Sequence, residues 1–153
     1  MSQLKIGDKA PIFKGTDQNG NNIELSDFSG KKIALYFYPK DDTPGCTAQA
    51  CNLRDHMMDL KEHGIEVIGV STDSIKSHSK FVEKFQLNFP LISDENKEIV
   101  NQYGVWGMKK FMGREYLGTM RTTFLINETG VIEAIIAKPK TSAHAEEILA
   151  ILK

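Results

Sequence analysis

The sequence predicts an α/β protein in which a mixed central sheet carries helices on both faces. Three observations predict it. Near-continuous apolar runs at 31–39 and 65–72 have the length and composition of strands covered on both sides. Around them lie stretches whose apolar residues recur every three or four positions, the spacing of amphipathic helices. After residue 121 this alternation gives way to a strand hairpin and a last helix, so part of the sheet runs antiparallel.

Taken in order, "FKGTDQNGNNIEL" (13–25) reads as two short strands around an Asn-Gly turn, an N-terminal β-hairpin. "LSDFSG" (25–30) reads as a brief helical turn opened by Ser26. "KKIALYFYP" (31–39) is a central strand ended by Pro39. From Thr43 to His63, residues Cys46, Ala50, Leu53, Met57 and Leu60 recur at steps of four, three, four and three. That spacing puts them on one face of a single helix, which Gly64 stops. "IEVIGVST" (65–72) is a second buried strand. "SIKSHSKFVEKFQ" (74–86) is a helix with Phe81 and Phe85 four apart, and "FPLISD" (89–94) is a strand. A shorter helix over 95–105, a hairpin over 121–138 turning at Glu128–Gly130, and an amphipathic helix over 141–153 complete the chain. Right-handed crossovers then select a three-layer α/β/α sandwich like that of thioredoxin. The 153 residues suit one domain, and no repeat or linker divides them.

Composition excludes several partners. The formal net charge is −1, with acids and bases interspersed, so nothing in it suits nucleic acid or anionic lipid. No apolar run approaches a membrane span. "MSQLKIGDKAP" lacks the apolar segment of a secretory signal, so a cytoplasmic location is expected. No long exposed apolar strand edge is evident, so a monomer is expected.

The chemistry concentrates in "YPKDDTPGCTAQAC" (38–51), which holds the only two cysteines, Cys46 and Cys51. Two are too few for a disulfide scaffold, and in a reducing compartment a close pair is more often catalytic, redox-sensing or metal-binding. Thr43 suits an N-cap, Pro44 the first helical position, and Gly45 leaves the approach uncrowded. Cys46 then lies in the first turn, past the carboxyl end of a central strand, where open α/β sheets tend to bind ligands. Unpaired N–H groups and the helix dipole favour negative charge there, and the thiolate is the nucleophile. The plainer alternative is an inert buried thiol among the apolar residues that share its face. Five residues along a helix separate two Cα atoms by about 8–9 Å. A disulfide needs them within about 7 Å, so bonding Cys46 to Cys51 requires the first turns to unwind. Two unrelated thiols on one helix is the other reading. A zinc site is disfavoured, because His56, His63, His78 and His144 lack ligand spacing and read as surface residues.

Pro39, Thr43 and Cys46 stand in the order P-x-x-x-T-x-x-C, which resembles the active-site signature of the peroxiredoxins. A second cysteine five residues after the first resembles the subgroup called bacterioferritin comigratory protein, or PrxQ. "GVWGMKKFMGREYLGTMRTTFLI" (104–126) is similar to that subgroup's segment before its penultimate strands. It places Arg121 where the family keeps its active-site arginine, and the likeness runs from "GDKAPIF" to the final helix. The resemblance implies a peroxidase, without metal or bound cofactor, that reduces hydrogen peroxide and organic hydroperoxides in antioxidant defence. Cys46 would be the peroxidatic cysteine and Cys51 the resolving one, forming an internal disulfide that thioredoxin or a similar dithiol reduces. Backbone N–H groups at Gly45 and Cys46, with Arg121, would stabilise charge moving from sulfur to oxygen. Arg121 is otherwise an ordinary solvated strand residue. Thr43 would orient the peroxide or merely cap the helix, and Pro39 would shield the pocket or merely end the strand. Trp106 is expected to pack near Met108, Phe111 and Met112. A thiol–disulfide exchanger and a non-enzymatic redox switch are the competing functions. Neither has use for the Thr43 and Arg121 arrangement.

Overall fold

The computed structural model describes residues 4–152. The strands are β1 (Lys14–Thr16), β2 (Asn22–Glu24), β3 (Lys32–Phe37), β4 (Ile65–Ser71), β5 (Leu91–Ser93), β6 (Trp106–Phe111), β7 (Arg114–Thr119), β8 (Thr122–Ile126) and β9 (Ile132–Ile136). The helices are α1 (Pro44–Asp55), α2 (Met57–Glu62), α3 (Ile75–Phe85), α4 (Glu98–Gln102) and α5 (His144–Leu152). Seven strands form one sheet in the order β2-β1-β5-β4-β3-β8-β9. Its β5-β4-β3 centre is parallel, and β8 and β9 add antiparallel on one side while β1 and β2 do so on the other.

The two-residue period of β3 builds the layers. Ala34 and Tyr36, with Tyr38 just beyond the strand, face one core, where they meet Cys46, Ala50 and Leu53 of α1, Leu60 of α2, Phe81 of α3 and Ile148 of α5. Ile33, Leu35 and Phe37 face the other core, with Ile99 and Val100 of α4, Phe13 and Phe124. Burying one such Leu or Phe side chain contributes about 1.5–3 kcal/mol. The predicted helical face of Cys46, Ala50, Leu53, Met57 and Leu60 is buried throughout. Gly64, at φ +73°, ends that stretch as expected.

Four expectations need correcting. The helix over 43–63 is two helices, because the backbone breaks at His56, at φ −105° and ψ 10°. The turn at Leu25–Phe28 starts after Glu24, whose N–H donates to Asp27 Oδ2 at 2.9 Å, and Ser26 lies inside it. His78 and His144 are fully buried, not surface residues. Finally, β6 and β7 form a separate two-stranded hairpin between the stretches predicted as the helix over 95–105 and the hairpin over 121–138. Its two-residue turn, Met112–Gly113, has both φ angles positive, +50° and +81°. The hairpin exposes Met108, Phe111, Met112 and Leu117, so an apolar surface does exist outside the core. Trp106 packs against the second core, with Lys97 Nζ 5.5 Å from its ring centroid.

Candidate active site

Everything at the carboxyl end of β3 is arranged around the first turn of α1. Thr43 has the extended backbone of an N-cap, at φ −103° and ψ 157°, and Pro44 opens the helix behind it. The Thr43 side chain does not cap the helix, however. Its hydroxyl donates back to the Lys40 carbonyl at 3.0 Å. Pro39 is half-buried beside this loop.

Cys46 is 2% exposed. Arg121, between β7 and β8, reaches it across 75 positions of sequence: Nη2 donates to Cys46 Sγ at 3.3 Å. Nη1 of the same guanidinium donates to Gln49 Oε1 at 2.6 Å. Gln49 is fully buried one turn after Cys46, so its carbonyl oxygen fixes the orientation of the arginine. Its Nε2 is buried with no hydrogen-bond partner. Gly45 lies under the same guanidinium, where a Cβ would stand 3.2 Å from Arg121 Nη2. The glycine therefore makes room for the arginine.

Behind the thiol, Tyr36 is buried with an unpartnered hydroxyl and stacks on Tyr38 with ring centroids 5.4 Å apart. Burial, and next the neighbouring Cys46, push its phenol well above the ordinary range. Beside the arginine, Lys109 of β6 donates to the Thr119 carbonyl at 3.0 Å. Burial, with the Arg121 charge second, pulls the Lys109 ammonium below its ordinary value, while Cys46 opposes the shift. Lys109, Met120, Arg121, Ala137, Lys138 and Pro139 line a groove of about 440 Å³, which brings solvent to the arginine.

The loop before α1 is anchored from beneath. Asp41 accepts from Tyr38 Oη at 2.6 Å and from Ser77 Oγ at 2.7 Å, and it meets His78 Nδ1 at 2.7 Å. The Asp41 N–H donates to Asp73 Oδ2 at 2.9 Å, and His78 Nε2 donates to the Ile92 carbonyl at 3.0 Å. Asp41, Asp73 and His78 place one ligand atom each within 4.8 Å of one another, as a metal site would. All three are already engaged in this hydrogen-bond network.

His144, at the start of α5, bridges Thr123 Oγ1 at 2.7 Å and Glu147 Oε1 at 3.0 Å. Burial holds it below the ordinary histidine range, against the pull of Glu147.

Of the residues expected from the sequence, Gly45, Cys46 and Arg121 come together directly, with Thr43 and Pro39 in the adjoining loop. Cys51 is half-buried and free on the intact helix, five positions from Cys46. Gln49, Tyr36 and Lys109 were not anticipated. For Gln49 a signal existed, since a polar residue three positions after Cys46 lies on the same, otherwise apolar, helix face.

Comparison with known proteins adds family relations. The AhpC/TSA family profile matches residues 6–135. Peroxiredoxin Bcp of Escherichia coli (strain K12) is 50% identical over 153 residues, covering 100% of this chain and 98% of its own. Peroxiredoxin Bcp of Bacillus subtilis (strain 168) is 43% identical, over 98% of this chain and 96% of its own. Among solved structures, Xanthomonas campestris Peroxiredoxin Q superposes with a TM-score of 0.86 at 34% identity, covering 92% of this chain and 89% of its own. A cysteine-to-serine variant of Xylella fastidiosa PrxQ gives a TM-score of 0.91 at 32% identity, over 98% and 96%.

Proposed function

The chain belongs to the AhpC/TSA family as a peroxiredoxin of the Bcp/PrxQ kind, a thiol peroxidase with a thioredoxin-like fold, and from that premise we propose its cycle. Its substrates are hydrogen peroxide and organic hydroperoxides. The observation that carries this reading is the 3.3 Å contact from Arg121 Nη2 to Cys46 Sγ in the first turn of α1.

The Cys46 thiolate attacks the terminal peroxide oxygen. An S–O bond forms as the O–O bond breaks, and the leaving hydroxide or alkoxide takes up a proton. Charge thus spreads from sulfur over two oxygens, where preorganised donors are most effective. Arg121 supplies a cation that cannot lose its proton, oriented by Gln49. The Gly45 and Cys46 N–H groups belong to the unpaired first turn and point the same way. The Thr43 hydroxyl proton is committed to the Lys40 carbonyl, so its oxygen accepts from the peroxide O–H and orients it. Pro39 shields the pocket from water.

Cys46 sulfenic acid is the product, a reversible oxidation state. Cys51 condenses with it once α1 opens: its thiol attacks the sulfenic sulfur, a disulfide forms and water leaves. A dithiol reductant of the thioredoxin type then restores both thiols. Every group named above for peroxide attack and for condensation belongs to this chain, and we propose that it works as a monomer in the cytoplasm.

The test is rapid mixing of reduced protein with one equivalent of hydrogen peroxide, followed by acid quench and intact mass. The expected result is a fast loss of two hydrogens. It becomes a gain of one oxygen in Cys51→Ser and vanishes in Cys46→Ser. Slow oxidation, equal at either cysteine, would instead favour a disulfide exchanger or a structural switch.

A further inference from the structure

Disulfide formation requires α1 to open, and the residue beside Cys51 ties that part of the helix to α5, while Arg54 further on holds the Phe85 carbonyl. Asn52, next to Cys51, uses its whole side-chain amide on the start of α5. Nδ2 donates to the Ser142 carbonyl at 3.1 Å and to Glu146 Oε1 at 3.0 Å. Oδ1 accepts the Ala145 N–H at 2.7 Å, one of the first-turn amides for which a helix provides no partner. Both amide protons and the carbonyl oxygen are thereby satisfied. Beneath this contact Ala50 and Ala145 are fully buried in one cluster, and their small side chains let the two helices pack closely.

We infer that Asn52 is the latch of α1: its three bonds to the α5 N-terminus set how fast Cys51 is released to resolve oxidised Cys46. The inference rests on the peroxidase reading above and concerns its second step. Unwinding that moves Cys51 towards Cys46 carries Asn52 with it, so the three bonds break together. The first step does not involve Asn52, whose side-chain hydrogen bonds go to Ser142, Glu146 and Ala145 and not to Arg121 or Cys46. The latch therefore acts as a positioning device that divides the sulfenic acid between two fates. Condensation with Cys51 gives the disulfide and water. A second peroxide instead transfers an oxygen to the sulfenate, giving a sulfinate and an alcohol or water, a state that does not return to the cycle. A tight latch favours the second fate at high peroxide.

The experiment compares the parent chain with Asn52→Ala and Glu146→Ala. Single-turnover quench and intact mass give the rate of disulfide formation. The sulfinate fraction after excess hydrogen peroxide gives the partition, and the rate of first oxidation is read in each variant on a Cys51→Ser background. Asn52→Ala is expected to form the disulfide roughly tenfold faster, about 1.4 kcal/mol. It should leave proportionately less sulfinate and keep the first-oxidation rate. Glu146→Ala removes one of the three latch bonds, together with the exposed His56–Glu146 pair at 3.7 Å, and guards against misfolding of the first variant; roughly a twofold to threefold acceleration is expected. Disulfide formation in the parent with no acceleration in either variant overturns the latch alone. No disulfide in the parent overturns the peroxidase cycle and the latch with it.

Discussion

The two ends of α1 are built on opposite plans. Cys46 is 2% exposed, and an arginine 75 positions away holds its sulfur, itself held by buried Gln49. At Cys51 the thiol is half-buried and free, and what is fixed is its neighbour, Asn52, bound to another helix. The first end is preorganised to react where it stands. The second is arranged to stay in place until it has to move. One helix thus carries a rigid pocket and a releasable arm five residues apart.

Substitutions can break that contrast, and the largest effect belongs to Arg121. Removing one preorganised donor of this kind costs about 10²–10³ in rate. Arg121→Ala is expected to slow first oxidation of Cys46 by that order, measured by single-turnover mixing with hydrogen peroxide. Alkylation of Cys51 should be unchanged, so the two thiols become more alike. Arg121→Lys should recover only part of the loss, because one ammonium cannot reproduce the fork that reaches both Sγ and Gln49.

A smaller effect is expected at Gly45. An added Cβ would stand 3.2 Å from Arg121 Nη2, so the guanidinium must yield by a few tenths of an ångström. Gly45→Ala is expected to slow the first step by roughly tenfold or less, since a small misplacement of a catalytic group is costly. Unchanged single-turnover kinetics would show that the arginine does not need that space.

The smallest effect sharpens the comparison from the α5 side. Folding holds His144 below the roughly 6.5 of a free imidazole, mainly by burial, with the Arg121 charge acting the same way and Glu147 opposing. As pH falls the unfolded chain takes up this proton first. The stability that neutral His144 contributes is present above about pH 6.5 and is lost as pH falls from there through the folded value. Urea midpoints measured from about pH 8 to about pH 5 should show that loss, with a shallower acid limb in His144→Asn. His144 heads α5, so acidification should loosen the helix that holds Asn52. Hydrogen exchange should then rise in the Cys51 half of α1 before the Cys46 half.

The sheet and its covering helices were legible in the sequence because their apolar periods are strong. The alternation of Ala34, Tyr36 and Tyr38 against Ile33, Leu35 and Phe37 is hidden in a continuous run, which itself marks a doubly buried strand. The β6–β7 hairpin escaped because neither of its faces is consistently apolar or polar, and Met-Gly is a weaker turn signal than Asn-Gly. The break at His56 escaped because the apolar spacing continues through it into Met57 and Leu60. At the site, local pattern placed Cys46 at a helix start and showed why Cys51 cannot bond to it there. Arg121 came from resemblance alone, since no local rule spans 75 residues. His78 and His144 were misjudged because a buried histidine is defined by partners such as Asp41 and Thr123, which lie on other elements.

The anchored loop before α1 bears on how the molecule is made. Asp41 is held by His78 of α3, 37 positions on, and His78 is held in turn by Ile92 of β5. Closing such long loops is entropically costly and comes late for a growing or refolding chain. The backbone that presents Cys46 is therefore not fixed until α3 and β5 are in place, and the arginine arrives later still. Until about 120 residues have emerged and docked, the chain carries two ordinary cysteines and no peroxidase, so a half-made molecule does not yet have the reactivity of the finished one.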